Sequence, residues 1–295
     1  MSRGGRSVTE PNGRSNWGRW GPDDQRGALN LLTGERVLQA LARPRSGEVF
    51  ALGTEISRRG PISGAHRNPT WQMTMQIQHP DDPGRGRAED ILVMHTHAHT
   101  HLDGLAHVWV DGLLYNGVRS QAVSRGGTKH ASVEHYGAII GTAAILDVSR
   151  RRTLEEGDVI TADDLELSAR DAGLDAQDAD ILLIRTRWIE MHGTEPARYA
   201  KGEPGLGPDG ADWIAAKDPA VVGMDNFGID PFPATDNANP LACHELFLRD
   251  LGVPLIENLD LAGPVAMGAF EGLFIATPLR IRRGLGSPLN PVLVV

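Results

Sequence analysis

The chain has 295 residues, a formal net charge of -9, and 40% hydrophobic residues. This length allows a sizeable buried core, and the composition is that of an ordinary globular protein. The negative charge argues against nucleic acid as a partner, because an acidic chain repels phosphate backbones. Cys243 is the single cysteine. Intrachain disulfides are therefore excluded, which is typical of proteins from a reducing compartment.

The N-terminal residues 1–15 are polar and rich in glycine and arginine. This composition predicts a flexible arm. No linker or repeat divides the remainder, so we expect one domain over residues 16–295. The sequence shows no apolar core of signal-peptide type and no run approaching the roughly 20 apolar residues of a membrane span. A cytoplasmic protein without a membrane partner is expected.

The first predicted element is a helix capped by Asp23 or Asp24 and running through residues 35–42. Strands are predicted at 47–56 and 71–77, and the composition of 79–90 is typical of a loop. Residues 91–103 begin as a buried strand that then carries several histidines. A short hairpin around Asp111-Gly112 is expected within 108–117.

Helices and strands interleave in the second half of the chain without a strict βαβ repeat. The helix at 160–173 has clear end signals, with Thr161 as its cap and Gly173 at its end. A mixed α/β sheet is therefore favoured over an all-parallel, doubly wound one. The other predicted elements are helices at 211–218 and 244–252 and strands at 141–149, 179–188, 220–225, 253–261 and 268–281.

The most unusual stretch is HTHAHTHLDGLAH, residues 95–107, which holds five of the 11 histidines. In a regular strand, alternate residues from 95 to 103 would share one face. Unpaired imidazoles are costly on a buried face, and a divalent cation would satisfy them. Even in an irregular chain, His97, His101 and Asp103 form a short-range triad with open positions, as in catalytic metal sites. His107 follows Gly104 and could face the same centre without binding the metal.

Two simpler interpretations of the tract remain open. The histidines could be polar surface or satisfied core residues, or the tract could sequester metal ions. Sequestering tracts are usually low-complexity and disordered. This one follows ILVM and precedes VWV, which indicates that it is embedded in a fold.

The run from His97 to Asp103, followed by His107, resembles the H-x-G-T-H-x-D…H signature of the cyclase family of metal-dependent hydrolases. That family includes kynurenine formamidases and isatin hydrolases. Further segments resemble family motifs in a consistent order over residues 16–261, and they are closer to the isatin-hydrolase-like long branch. These segments are NWGRWGPDDQRGALN, HVWVDGLLYNG, LLIRTRW, GMDNFGIDPFP and HELFLRDLGVPLIENLDL.

The resemblance implies a set of site residues. His97, His101 and Asp103 would bind a first metal, and His107 would be the acid/base histidine. His244 and Glu257 match the downstream residues that bind a second metal in dinuclear members; orienting water or substrate is the alternative. The resemblance further implies one or two Mn²⁺ or Zn²⁺ ions per chain, a swivelling β/β/α domain, and a homo-oligomer, either dimer or tetramer.

The sequence also departs from the family pattern. His99 stands at the signature glycine, where glycine allows a close approach or a special backbone conformation. His99 must therefore tolerate that geometry or occupy pocket volume. Trp20 and Phe227 are further candidates for the substrate pocket, and Phe227 stands where a tryptophan is common. Arg187 and Asp230 are also departures, and together these changes predict a distinct substrate.

These features lead to one functional expectation. The chain is expected to hydrolyse a C–N bond of a small cyclic amide, imide or aryl amide, using metal-activated water and His107 as proton donor to the leaving nitrogen. Three alternatives remain: a lactone or ester hydrolase on the same site, a polyketide-type cyclase or dehydratase, and a non-catalytic metal-binding scaffold.

Overall fold

A computed structural model describes residues 13–62, 64, 67–234, 236 and 239–295. Most of the predicted arm, residues 1–12, lies outside the described residues, and the division into arm and domain stays a prediction. Where the description begins, Ser15 and Asn16 both hydrogen-bond to the backbone carbonyl of Asp250. None of the helices in the described ranges is long and apolar enough to cross a membrane.

Fifteen strands and seven α-helices are found in the described part of the chain. The strands are β1 (Val49–Ala51), β2 (Trp71–His79), β3 (Asp82–Val93), β4 (His101–Asp103), β5 (Val123–Ser124), β6 (Gly127–Thr128), β7 (Ile139–Asp147), β8 (Val159–Ile160), β9 (Ile181–Arg185), β10 (Gly205–Leu206), β11 (Val221–Met224), β12 (Leu255–Glu257), β13 (Glu271–Ala276), β14 (Gly286–Pro288) and β15 (Val292–Val294). The helices are α1 (Gly34–Leu41), α2 (Ala162–Ala172), α3 (Trp188–Thr194), α4 (Pro196–Tyr199), α5 (Pro208–Ala215), α6 (Ala242–His244), which continues as a π-helix over Glu245–Leu251, and α7 (Ala262–Met267).

Nine of the strands form one sheet in the order β1-β15-β13-β7-β9-β11-β12-β4-β14. The central strands β7, β9, β11 and β12 are parallel, and the strands on both sides of them are antiparallel. The prediction of a mixed α/β sheet is confirmed. At one end of the sheet, β4 lies between β12 and β14, and this places the histidine tract beside the carboxyl ends of the parallel strands.

The centre of the sheet supplies the core. Strands β9 and β11 are buried along their whole length, and β7 is buried at all but one position. They are continuous apolar runs because helices and loops cover both faces of a parallel sheet. Helices α1 and α2 both pack on β7. The predicted strands at 141–149, 179–188 and 220–225 are thus found with small shifts at their ends.

Helix α2 follows its sequence signals closely. The Thr161 side chain accepts a hydrogen bond from the Asp164 amide, and the Asp164 carboxylate accepts one from the Thr161 amide. Gly173 ends the helix with φ 69°, in the left-handed region that favours glycine. Both end signals act as the sequence predicted.

The predicted helix from Asp23 or Asp24 to residue 42 is wrong as one element. A 3₁₀ helix over Gly27–Leu31 comes first, and α1 begins only after its own cap, Thr33, whose side chain accepts from the Arg36 amide. At the start of the 3₁₀ helix, the Asp24 carboxylate accepts from the Gly27 amide at 2.8 Å. The region thus forms two short helices, each beginning at its own side-chain acceptor.

The predicted loop at 79–90 is also wrong, because β3 occupies most of it and pairs with β2 in a long hairpin. Strand β2 is exposed along its length, and β3 is exposed from Gly84 to Val93. A strand in a two-stranded ribbon has one unpaired edge and two solvated faces, so it tolerates glycine and charged residues. Composition alone therefore could not distinguish it from a loop.

Candidate metal centre

Strand β4 carries the first two residues of the site. His101 and Asp103 are two apart, so their side chains lie on the same face of the strand. The antiparallel register pairs His101 with Glu257 on β12. As a result His101 Nε2 lies 3.2 Å from Glu257 Oε2 and 3.4 Å from Asp103 Oδ1. All three residues are buried.

His97 reaches the same carboxylate from outside the strand. The prediction that residues 91–103 begin as a buried strand is wrong, because Ile91, Leu92 and Val93 are exposed at the end of β3, and an irregular segment separates them from β4. His97 Nε2 lies 3.5 Å from Asp103 Oδ1. The His97 ring stacks on the His107 ring with centroids 4.2 Å apart, and His107 Nε2 lies 3.8 Å from Asp103 Oδ2.

His244 completes the cluster from the end of α6. Its Nε2 lies 3.1 Å from Glu257 Oε1 and 3.7 Å from Asp103 Oδ2. On the other side of the ring, Nδ1 lies 2.6 Å from Asp230 Oδ2. The other Asp230 oxygen accepts from the Cys243 amide, so this carboxylate fixes both the helix and the imidazole ring.

The outward nitrogens of three of these rings have polar partners. His101 Nδ1 donates to the carbonyl of His99 at 2.8 Å, and His244 Nδ1 donates to Asp230. His97 Nδ1 lies 3.1 Å from Thr96 Oγ1. This pattern leaves Nε2 of each ring facing the carboxylates of Asp103 and Glu257. Metal-binding histidines in proteins are usually oriented in this way.

The cluster fits a divalent cation. Within the described residues, His97 Nε2, His101 Nε2, Asp103 Oδ1 and Glu257 Oε1 are all buried without a hydrogen-bond partner. Unpaired buried polar atoms are costly, and a cation would bind imidazole nitrogen and carboxylate oxygen together. The ligand atoms fall into two groups, each within 4.8 Å: His97–Asp103–His107 and His101–Asp103–Glu257. Asp103 belongs to both groups.

The local electrostatics also favour a cation. Burial lowers the pKa of His97 to about 3 and lowers that of His107, so both rings are neutral at neutral pH. Burial also acts to lower the pKa of His101, but the adjacent carboxylates of Asp103 and Glu257 outweigh it and raise this pKa to about 10. The two carboxylates therefore attract positive charge to the centre of the cluster.

The cluster forms one wall of a cavity of about 330 Å³. Its remaining walls are mostly apolar, with Arg67, Glu203 and Asp230 as the charged exceptions. The volume is within the range of small-molecule sites in proteins. The lining residues are Arg67, Asp103, His107, Val108, Glu203, Phe227, Gly228, Asp230, Pro231, Phe232, Pro240, Leu241, His244 and Glu257.

Comparison with known proteins places the chain in a family. The sequence profile of the putative cyclase family matches residues 28–231. The chain belongs to this cyclase family. It is 27% identical over 227 residues to the isatin hydrolase of Roseibium aggregatum, which covers 75% of this chain and 80% of that protein. The family resemblance inferred from the motifs is confirmed.

Solved structures agree with this family assignment. A crystal structure of a novel cyclase superimposes on the cyclase-family chain with a TM-score of 0.87 and 32% identity, covering 96% of this chain and 100% of the other. An isatin hydrolase bound to the product analogue thioisatinate has the same fold, with a TM-score of 0.64 and 23% identity over 91% of this chain and 97% of its own.

In this cyclase-family chain, the structure brings together His97, His101, Asp103, His107, His244 and Glu257 around one point. Phe227 lines the adjoining cavity. His99 and Trp20 are not among the lining residues. Trp20 packs against the core and lies under the guanidinium of Arg19.

The structure shows how His99 fits at the position where the family signature has glycine. Its φ is 55°, in the left-handed region where glycine is favoured. The ring is buried, with Nε2 2.6 Å from Thr70 Oγ1, and it packs so closely on Gly60 that a Cβ there would lie 2.2 Å from His99 Cε1. His99 thus adopts the geometry of the glycine that it replaces, and its side chain points to Thr70 and Gly60.

Sequence reasoning missed two residues of the site. Asp230 was noticed only as a departure from a motif, although its contact with His244 orients that ring. Glu203 lies in the segment GEPGLG, in which no local pattern marks a site residue. Both carboxylates reach the site through loop packing between distant segments, and sequence spacing does not report such packing.

Proposed function

We propose that this cyclase-family chain is a metal-dependent hydrolase that cleaves a C–N bond in a small cyclic amide, imide or aryl amide. The observation that carries the proposal is the group of buried, unpartnered imidazole nitrogens and carboxylate oxygens that meet at the wall of the cavity. The similarity to an isatin hydrolase supports the same reaction class.

His97, His101 and Asp103 would hold Mn²⁺ or Zn²⁺, and His244 with Glu257 would hold a second ion or orient water. Bound there, a divalent cation supplies a Lewis acid that makes water nucleophilic near neutral pH. The sharing of Asp103 between the two groups of ligand atoms supports a site for one or two ions.

His107 is the proposed acid/base. Its ring is partly exposed to the cavity, and burial lowers its pKa, so Nε2 is free to take a proton at neutral pH. Asp103, 3.8 Å away, stabilises the protonated ring. His107 can then donate that proton to the leaving nitrogen, which departs poorly as an anion.

The test combines metal analysis with a substrate panel. We expect about one or two Mn or Zn per chain by elemental analysis, and hydrolysis of at least one of isatin, N-formylkynurenine, simple lactams and hydantoins. His107→Ala should retain the metal and lose roughly 10²- to 10⁴-fold in kcat. His95→Ala is the matched control, because His95 belongs to the same tract but contacts the Asn68 amide instead.

The panel also contains lactones, because the same machinery could act on an ester. Hydrolysis of lactones alone would indicate a lactone or ester hydrolase instead of an amide hydrolase. A protein that stays metal-free, or one that holds metal but leaves the whole panel intact, would contradict the hydrolase proposal. The second result would favour the cyclase or scaffold alternatives.

We also propose that the chain forms a homo-oligomer, dimer or tetramer, through the β2–β3 hairpin. Trp71, Met73, Met75 and Ile77 alternate along β2 and share one exposed face of the ribbon. An isolated two-stranded hairpin is marginally stable in water, and an exposed apolar row of this kind usually marks an interface. A second copy of the chain is the proposed partner.

Light scattering after size exclusion tests this. We expect an oligomer for the wild type and a shift towards monomer when Trp71 and Met73 are both changed to Ser. Gln72→Ser with Gln76→Ser, on the opposite face of β2, should leave the oligomer intact. A wild-type protein that is monomeric at tens of micromolar would refute the proposal.

A further inference from the structure

The backbone carbonyl oxygen of His99 receives two side-chain donors. His101 Nδ1 donates to it at 2.8 Å, and Asn258 Nδ2 donates to it at 2.9 Å. A carbonyl oxygen has two lone pairs and can only accept, so both lone pairs are used here. This assigns the orientation of both donors, because His101 must present its Nδ1 proton and Asn258 must present its amide nitrogen. All three residues are buried.

Asn258 is itself held at the other end of its side chain and along its backbone. Its Oδ1 accepts from the hydroxyl of Tyr199, which is also buried. Its backbone amide donates to the carbonyl of Asn226 at 2.7 Å, and its carbonyl accepts from Thr100 Oγ1 at 2.6 Å. Its φ of 56° lies in the left-handed region, which asparagine tolerates better than most residues. The amide group of Asn258 is therefore fixed on both sides.

Residues 257 and 258 act on opposite sides of the His101 ring. Glu257 Oε2 lies 3.2 Å from His101 Nε2, and Asn258 reaches the Nδ1 side through the carbonyl of His99. A neutral imidazole with its proton on Nδ1 has its lone pair on Nε2. Within the described part of the chain, this Nε2 has no hydrogen-bond partner. The end of β12 thus holds the ring in the tautomer that can bind a cation.

We propose that Asn258 is a positioning residue of the metal centre. Through the carbonyl of His99 it fixes the orientation and the tautomer of His101, and the Tyr199 hydroxyl holds Asn258 in turn. The inference rests on the proposed function only in taking the cluster as a metal site. It also assigns a role to residue 99, which contributes its backbone carbonyl to the centre and not its imidazole ring.

Metal binding by the purified chain tests this. Asn258→Gly removes the side-chain amide and keeps a residue suited to the left-handed conformation. Dissociation constants for Zn²⁺ are measured by competition with a chelator. We expect Asn258→Gly to weaken Zn²⁺ binding about 10- to 100-fold, because the loss of groups that orient a metal-binding histidine typically costs this much. Tyr199→Phe removes only the hydroxyl and should weaken binding by a smaller factor.

The chain offers a matched control for each substitution. Asn116 is also left-handed, with φ 61°, and its side-chain nitrogen donates to the carbonyls of Gly21 and Pro22. Tyr115 is also buried, and its hydroxyl donates to Asp24. Asn116→Gly and Tyr115→Phe therefore repeat the two changes away from the cluster. Both should bind Zn²⁺ within about threefold of wild type.

A second readout separates positioning from a merely structural role. Co²⁺ is loaded in place of Zn²⁺, and its visible absorption bands report the geometry of its ligands. The bands should shift in Asn258→Gly and Tyr199→Phe and should not shift in the two controls. A change that only destabilises the fold would lower Tm and leave both the Zn²⁺ constant and the Co²⁺ bands of the folded protein unaltered. That result for Asn258→Gly would overturn the inference.

The outcome is separable from that of the proposed function, because neither readout needs turnover. Hydrolysis of the substrate panel is measured in parallel on the wild type. Metal binding that depends on Asn258, together with an intact panel, would contradict the hydrolase proposal and support the inference. Hydrolysis of the panel with unchanged metal binding in Asn258→Gly would do the reverse. A wild-type protein that binds no metal would overturn both.

Discussion

Asp103 contributes both carboxylate oxygens to the cluster, and this double use distinguishes it from the histidines. Oδ1 lies within 3.5 Å of the Nε2 atoms of His97 and His101, and Oδ2 lies within 3.8 Å of those of His107 and His244. This single carboxylate lies between four imidazole rings, with two rings near each oxygen. Its removal should therefore affect every contact in the cluster.

We expect Asp103→Asn to lose metal affinity by more than about 100-fold, because changes to residues that only support metal ligands already cost 10- to 100-fold. Elemental analysis after dialysis measures the loss. Asp90→Asn, on the exposed face of the hairpin, serves as the matched carboxylate control. Full metal content in Asp103→Asn would remove Asp103 from the ligand set.

Asp225 is a second buried carboxylate, and its role is structural. Oδ1 accepts from the amide and hydroxyl of Thr186 at 2.8 and 2.6 Å, and Oδ2 accepts from the Arg187 amide at 2.7 Å. Arg187 has a left-handed φ of 68°. These bonds hold the turn between β9 and α3.

Burial raises the pKa of Asp225 to about 6 from 3.8. The folded state therefore binds more protons than the unfolded state between these pH values, and Asp225 stabilises the fold most below about pH 4. We expect its contribution to fall by on the order of 3 kcal/mol as pH rises through about 6. Urea unfolding of wild type and Asp225→Asn at pH 4.5 to 7.5 measures it. The gap between their unfolding free energies should narrow with pH, and a constant gap would contradict the assignment.

At the scale of elements, the strands and helix ends that depend on interactions between nearby residues were the ones that the sequence predicted. The apolar runs of β7, β9 and β11 and the two ends of α2 were predicted correctly, because burial on both faces and capping act within a few residues. The hairpin strand β3 was missed because its stability comes from pairing with β2 and not from its own composition. The π-helix after α6 also has no signal in the spacing of HELFLRDLG.

The residues of the site were likewise predictable only where they lie close together in the sequence. His97, His101, Asp103 and His107 lie close together in the sequence, so their spacing indicated a common centre. Glu257 comes from β12, and only the register between β12 and β4 aligns it with His101. Residue patterns within one segment do not contain this register, and for Glu257 only the family resemblance supplied it.

Strand β14 should control the position of His97. A Cβ atom on Gly286 would lie 2.5 Å from His97 Nε2, which is too close for real contacts. We expect Gly286→Ala to displace this ring and weaken metal binding, with the fold preserved by circular dichroism. Gly34→Ala, which meets no atom within 4 Å, is the control. Unchanged metal affinity in Gly286→Ala would show that His97 is not a ligand.

At the scale of the whole molecule, the cluster joins distant parts of the chain: an irregular segment, the end of α6, and strands β4 and β12. A ligand that binds only the folded state stabilises it according to its concentration relative to Kd. At a metal concentration 100 times Kd this amounts to about 2.7 kcal/mol, which corresponds to a rise in Tm of roughly 5 °C. Differential scanning calorimetry before and after chelation should show this difference. Asp103→Asn should show none, and equal Tm values for wild type would argue against a bound metal.

The position of β4 between β12 and β14 has a consequence for biosynthesis. The histidine tract leaves the ribosome long before Glu257, and the strand that bears Gly286 against His97 is made later still. For about half of the chain's synthesis the imidazoles are present without the carboxylate from β12. Until β12 and β14 are made, β4 has neither of the strands that pair with it, so the native arrangement of His97, His101 and Asp103 forms only when the sheet closes at its β4 end.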